Sequence, residues 1–177
     1  LLEDNSNSGV KRLSKKALLD KKSLLDKKSE IKQLKGDSQG AMDDLEQSCA
    51  IVEDNFDNLK KATLLYKMGR QKDGEQILKK LLEDQEFVSG RHAKYAYALL
   101  GQKDKARSLC ETEIAEDSDD YFNIACTYGV LGEYSKGLPY IRKSLEKQPT
   151  SIVDILVDFD MEEYKKLPEF WNLINEF

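Results

Sequence analysis

Helix-breaking residues and long apolar runs are both scarce in this chain. Only three of the 177 residues are proline and ten are glycine, so long stretches contain no breaker. That scarcity favours helices over an all-β fold, which needs a turn after every short strand. No apolar run approaches the roughly 18 residues that a membrane-spanning helix requires. We therefore expect a helical protein without a transmembrane segment.

The side chains of the commonest catalytic and metal sites are scarce as well. His92 is the one histidine, and the three cysteines, Cys49, Cys110 and Cys126, lie far apart. An odd number of cysteines without a close pair argues against a disulfide framework and a zinc site, and it favours a reducing compartment. With one histidine and scattered cysteines, the chain has few residues from which a Ser-His or Cys-His catalytic site could be built. We predict a cytoplasmic protein that is not an enzyme and uses no cofactor.

Two acidic runs, 116–120 and 158–163, are the remaining candidates for binding a cation. Neither has the spacing of a calcium loop or its central glycine. The first run is better interpreted as a connecting loop with an acidic residue at the start of a helix. We therefore predict no bound metal.

The charge is unevenly distributed along the chain. Residues 11–35 contain ten Lys or Arg and three acidic residues, a net charge of +7, so the rest carries −12 of the total of −5. The simplest interpretation of this segment is a solvated helix face. Binding to nucleic acid phosphates or to an anionic membrane surface is disfavoured, because the segment has no aromatic residue and the body of the protein is acidic.

Four glycines recur at a nearly constant interval. Gly36, Gly69, Gly101 and Gly132 each close an apolar segment, and they are 33, 32 and 31 residues apart. A small residue follows each glycine after five positions, and an apolar residue follows after four more. These positions are Ala41 and Leu45, Gly74 and Leu78, Ala106 and Cys110, and Gly137 and Ile141. The pattern predicts a helix, a tight turn at the glycine and a second helix that packs closely on the first.

The segment 121–149 resembles a tetratricopeptide repeat (TPR), whose pattern is W-x2-L-G-x2-Y, then A-x3-F, then P. The matching positions are Tyr121, Ile124, Ala125, Tyr128, Gly137, Ile141 and Pro149. The resemblance implies an all-α fold: a right-handed superhelical solenoid of about four helical hairpins. We place the hairpins at residues 22–53, 56–84, 87–117 and 118–149, the first being the weakest match.

The two ends of the chain do not follow the repeat. Residues 1–21 are predicted to be a basic, partly disordered arm. Residues 150–177 contain two apolar stretches, and the run "DFDMEEYKKLPEF" is similar to the end segment of bacterial repeat proteins. We predict a C-terminal helical cap there, because a solenoid must cover the exposed face of its last hairpin.

The resemblance also implies where a partner would bind. In this family the first helix of each hairpin lines a concave groove, and aromatic and arginine side chains are frequent anchors at interfaces. The candidate groove residues are Phe56, Leu59, Thr63, Tyr66, Arg91, Tyr95, Phe122, Asn123 and Cys126. The family's clamp for the carboxylates of heat-shock chaperones is not intact here, because only Arg91 and Asn123 are suitable polar residues at its positions.

These observations predict a non-catalytic protein-interaction module, an adaptor or scaffold whose groove holds a peptide or helix of another protein. A structural alternative remains open, in which the tail fills the groove and the outer faces form a homo-oligomer. The two differ in whether substitutions in the groove abolish binding of a partner.

Overall fold

The computed structural model describes residues 14–52, 54–116, 119–148 and 152–177. These residues form α-helices and short 3-10 turns and contain no strand, which confirms the all-α prediction for this part of the chain. Residues 1–13 of the predicted arm and Pro149, the closing residue of the repeat pattern, lie outside the described residues. The helices are α1 Lys15–Leu34, α2 Ser38–Cys49, α3 Asn55–Lys67, α4 Gln71–Leu81, α5 Gln85–Val88, α6 Ala93–Leu99, α7 Lys103–Ala115, α8 Tyr121–Leu131, α9 Tyr134–Lys147, α10 Ile152–Val157 and α11 Pro168–Ile174.

The helices pack in consecutive pairs. The pairs are α1 with α2, α3 with α4, α6 with α7, and α8 with α9, and α6 also packs against α8. The small and apolar residues that follow each marker glycine are buried in all four pairs. Close approach of two helices needs a small side chain at the crossing point, so the pattern that predicted the pairs also explains their packing.

Each pair is joined at one of the four marker glycines. Gly36, Gly69, Gly101 and Gly132 have φ angles of 76°, 74°, 71° and 74°. In every case the N–H of the next residue donates to the C=O five residues earlier, at 2.9 Å, as in Glu133 to Tyr128. This is the Schellman motif, which caps the carbonyl end of a helix and favours glycine in the left-handed region. The predicted glycine turn is confirmed at all four positions.

The third pair departs from the prediction, because its first helix is interrupted. The first half of the hairpin expected at 87–117 is divided into α5 and the seven-residue α6, and residues 89–92, beginning with Ser89 and Gly90, lie between them. Both residue types weaken a helix, and here the Ser89 hydroxyl donates to the Glu86 carbonyl at 3.0 Å. The interruption places Arg91 before the start of α6 rather than on it.

A buried lysine joins α6 to the two helices that follow. Lys94 has a fully buried side chain, and its Nζ donates to both carboxylate oxygens of Glu113 and to Oδ2 of Asp120, each at 2.8 Å. Asn123 donates to the other oxygen of Asp120 at 2.6 Å. Burying an ammonium group costs free energy unless it is paired and hydrogen-bonded, and this network meets both conditions.

The tail packs on the last pair through an inserted tyrosine. Two 3-10 turns, Phe159–Met161 and Tyr164–Lys166, connect α10 to α11. Tyr164 is fully buried, and its Oη donates to the carbonyl of Ala125 at 2.8 Å. The ring fits because glycine occupies positions 129 and 137: a Cβ at Gly129 would lie 2.9 Å from the ring, and one at Gly137 would overlap the hydroxyl. The buried tyrosine therefore leaves no room for a larger side chain at either position.

The first helix begins earlier than predicted. We expected the basic arm to extend to residue 21, but α1 starts at Lys15, and the Ser14 side chain accepts a hydrogen bond from the Ala17 N–H at 3.2 Å. Serine at this position caps the free N–H groups of a helix start, which explains the boundary. Among the described residues, no helix combines the length and the apolar character that crossing a bilayer would require.

Candidate functional site

A cavity of about 330 Å³ lies among the first helices of the pairs and the tail. Helices α1, α3, α6 and α8 supply most of its walls, and residues 154–160 of the tail supply one side. Seven of the nine predicted groove residues line it: Phe56, Leu59, Thr63, Tyr95, Phe122, Asn123 and Cys126. They come from three separate helices, α3, α6 and α8, whose packing brings them to one surface.

The other two predicted residues lie outside this cavity. The ring of Tyr66 packs against Gly74 of α4, where an added Cβ would lie 2.7 Å from the ring. Arg91 lines a shallower depression beside the cavity, and its exposed guanidinium has one nitrogen 3.7 Å from Asp120. The break between α5 and α6 displaces Arg91 and brings the neighbouring His92 to the cavity instead.

One wall of the cavity is aromatic. The rings of Phe56 and His92 are 4.9 Å apart, and the Lys60 ammonium lies 4.7 Å from the centre of the Phe56 ring. Burial lowers the pKa of His92 below its ordinary value of 6.5. Phe56 is 45% exposed, so it forms part of the mouth. This wall therefore offers an aromatic surface at the opening of the cavity.

The opposite wall is polar, and the tail contributes much of it. Tyr95 donates its hydroxyl hydrogen to Oδ1 of Asp160 at 2.8 Å, and the N–H of Asp160 donates to Oδ1 of Asp158 at 2.7 Å. Lys67 donates to the Gln33 side-chain oxygen at 3.3 Å. Both aspartates were missed by the sequence analysis as cavity residues, since neither belongs to the repeat.

Burial shifts the pKa values of the groups on this wall. It raises the pKa of Asp158 to about 6 and raises the pKa of Asp160, and it lowers the pKa of Lys67 to about 8. Burial also raises the pKa of the Cys126 thiol well above its usual value. In all four groups the environment opposes the charged form. Such shifts cluster at functional sites, where stability is given up for binding or chemistry.

Cys126, Asp158 and Asp160 could together offer ligands to a metal ion. One donor atom from each residue lies within 4.8 Å of the others. One feature opposes this use: a metal needs the thiolate, which burial disfavours here.

The raised pKa of Asp158 predicts how stability depends on pH. A folded-state pKa of about 6, against an ordinary value of 3.8, means that the folded chain holds the proton more tightly. This group's contribution to stability is therefore greatest at low pH and is lost as the pH rises from about 4 through 6. Asp158→Asn, which keeps the acceptor oxygen, should be more stable relative to wild type at pH 7.5 than at pH 4.5, by on the order of 1 kcal/mol.

Urea unfolding of both proteins at the two pH values measures this difference. The exposed Asp154→Asn on the adjacent helix α10 gives the baseline for removing a negative charge from the same segment. An equal pH response from Asp158→Asn and Asp154→Asn would contradict the prediction.

Comparison of the chain with protein-family models, with curated proteins and with solved structures gave no match in any of the three. The site must therefore be interpreted from its own geometry.

Proposed function

We propose that this chain is a TPR-like solenoid that acts as a non-catalytic protein-interaction module, an adaptor or scaffold. Four helix pairs, each joined at a glycine with the same backbone geometry, support the repeat interpretation. One observation carries the functional proposal: seven groove positions, chosen from the repeat pattern, line a single cavity.

The size of the cavity indicates what the partner inserts. A volume of about 330 Å³ is at the lower end of the range for ligand pockets. A whole helix does not fit into that volume, so the partner's backbone runs across the mouth and one or two side chains enter. Buried anchors of this kind supply most of the binding energy at protein interfaces.

The environments of the cysteines and the histidine favour a role in binding rather than in catalysis. Burial raises the pKa of Cys110 to about 12 and that of Cys126 well above its usual value, so both thiols are poor nucleophiles at neutral pH. His92 packs on Phe56. The three cysteines are buried free thiols, which supports the proposal of a reducing, cytoplasmic environment.

A second candidate function follows from the position of the tail. Asp154, Val157, Asp158 and Asp160 line the cavity, and Asp160 is hydrogen-bonded to Tyr95. In this alternative the tail fills the groove permanently, and the protein associates with other molecules or with further copies through its outer faces. Substitutions at the mouth of the cavity would then leave every interaction unchanged.

Substituting Phe56 tests the groove. We expect Phe56→Ser to weaken binding of peptides selected from a displayed random library by about tenfold or more, because an aromatic anchor at an interface typically contributes over 1 kcal/mol. Titration with labelled peptide, followed by fluorescence anisotropy, measures the change in Kd.

Phe177→Ser is the matched control. It is the same substitution, its ring is 44% exposed against 45% for Phe56, and it is not among the residues that line the cavity. Equal affinity of wild type and Phe56→Ser, or a loss of equal size in Phe177→Ser, would rule out the groove as the binding site.

A further inference from the structure

We propose, on the basis of the groove function above, that the polar wall of the cavity receives an arginine side chain of the partner, with its guanidinium held by Asp158 and Asp160. The groove proposal states that one or two side chains of the partner enter the cavity; one of them is here an arginine.

The first support is the balance of charge in the cavity. Among the described residues that line it, four are acidic and two are lysines, an excess of two negative charges. Lys60 lies 3.7 Å from Glu30 at the rim, so among the lining residues Lys67 is the lysine that acts on the two inner aspartates; Lys165, outside the cavity, has a smaller effect on Asp158. Burial outweighs the effect of Lys67 and keeps the pKa of both carboxylates raised, which shows that they are undercompensated.

The second support is the hydrogen bonding of the two carboxylates. Asp160 accepts one hydrogen bond from Tyr95, and Asp158 accepts one from the N–H of Asp160. A carboxylate can accept about four hydrogen bonds, so acceptor sites remain on each. Their oxygens are also close together, since one from each lies within 4.8 Å of the other and of the Cys126 sulfur.

The third support is the shape of the incoming group. A guanidinium is planar and has five N–H donors, so it can bridge two neighbouring carboxylates, which an ammonium cannot match. It is weakly hydrated and stacks on aromatic rings, and Phe56 and Phe122 line the same cavity as the aspartates. A lysine can also lie over an aromatic ring, as Lys60 does over Phe56, but its ammonium cannot bridge two carboxylates with the fixed geometry of a guanidinium.

The experiment compares three capped dipeptides that differ in one side chain: acetyl-leucyl-arginine amide, its neutral citrulline analogue and its lysine analogue. Each is titrated into the ¹⁵N-labelled 177-residue chain, and the amide shifts of Asp160 and Cys126 are followed. We expect the arginine dipeptide to bind about tenfold more tightly than the citrulline analogue, and more tightly than the lysine analogue, because hydrogen bonds to charged groups contribute more than neutral ones.

Substitutions locate the effect. Asp158→Asn and Asp160→Asn each keep an acceptor oxygen, so the fold should be retained, and each should remove most of the preference for arginine over citrulline. Glu169→Gln removes one exposed negative charge from α11, outside the cavity, and should leave the preference unchanged.

The inference would be overturned by equal binding of the arginine and citrulline dipeptides, or by a loss of preference in Glu169→Gln as large as in Asp158→Asn. Shifts at Asp160 and Cys126 with Zn²⁺ and not with arginine would also overturn it, and would assign the carboxylates to a metal. Selection of library peptides that lack a basic residue would also overturn it while leaving the groove proposal intact. Failure to select any peptide would instead reject the groove, and the dipeptide titration would still report on the aspartates.

Discussion

Lys94→Ala is expected to lower the free energy of unfolding by about 3–5 kcal/mol, because it removes one partner of a buried ion network. The side chain is fully buried, and its ammonium is the centre of the contacts to Glu113 and Asp120. Without it, two carboxylates at the junction of α6, α7 and α8 lose their counter-charge, and a cavity the size of the lysine side chain remains. Urea denaturation followed by circular dichroism measures the change.

Two further variants separate this effect from the general cost of losing a lysine. Lys79→Ala removes a 64% exposed side chain that pairs with Glu75 on the surface of α4, and it should cost no more than about 0.5 kcal/mol. A triple variant, Lys94→Met with Glu113→Gln and Asp120→Asn, removes all three charges and should recover most of the loss. A cost for Lys94→Ala as small as that of Lys79→Ala would show that the network does not stabilise the fold.

Tyr164→Ala is expected to cost about 3–5 kcal/mol, the range for deleting a buried aromatic side chain. The ring is fully buried between α8 and α9, and its hydroxyl is bonded to Ala125. We expect the tail to lose its main attachment to the last helix pair, so residues 158–166 should exchange amide hydrogens faster in the variant. Thermal unfolding and hydrogen exchange measure the two effects.

Gly137→Ala tests the same contact between Tyr164 and Gly137 by changing the glycine instead of the tyrosine. In wild type the added Cβ would overlap the Tyr164 hydroxyl, so the substitution should destabilise by about 1–3 kcal/mol. In the Tyr164→Ala background the overlap is gone, and alanine should instead stabilise α9 by up to about 1 kcal/mol through its higher helix propensity. A cost of equal size in both backgrounds would mean that the tyrosine does not occupy this position.

The glycine spacing was enough to predict the helix pairs, because the reason for it is local. A helix that reverses direction within a few residues needs one residue at positive φ, and glycine adopts that conformation with little strain. The same interval placed the buried small residues, such as Ala41 and Ala106, since they lie a constant distance along the second helix. The candidate groove positions on the first helices, such as Phe122, came instead from the resemblance to the repeat family.

Local features that compete with the repeat were harder to predict. The first helix of the third pair breaks at Ser89 and Gly90, so Arg91 lies before α6, and Lys94 in the first turn of α6 is buried. Serine and glycine weaken a helix without forbidding it, so their effect depends on the packing around them. Nothing in the sequence around position 94 distinguishes Lys94 from the exposed lysines. Its burial depends on the approach of Glu113 and Asp120 in the folded chain.

The sequence by itself determined the all-helical character and the four turns, because helix periodicity and backbone conformation act over a few residues. The expectation that most of the candidate residues share one surface came from the resemblance to a repeat family. Only the tertiary structure decided that the tail reaches that surface. Asp158 and Asp160 are 32 and 34 residues from Cys126, and they meet it because Tyr164 anchors the tail at Gly129 and Gly137. Such contacts depend on side chains that are distant in sequence, so they cannot be predicted from a periodic pattern of residues.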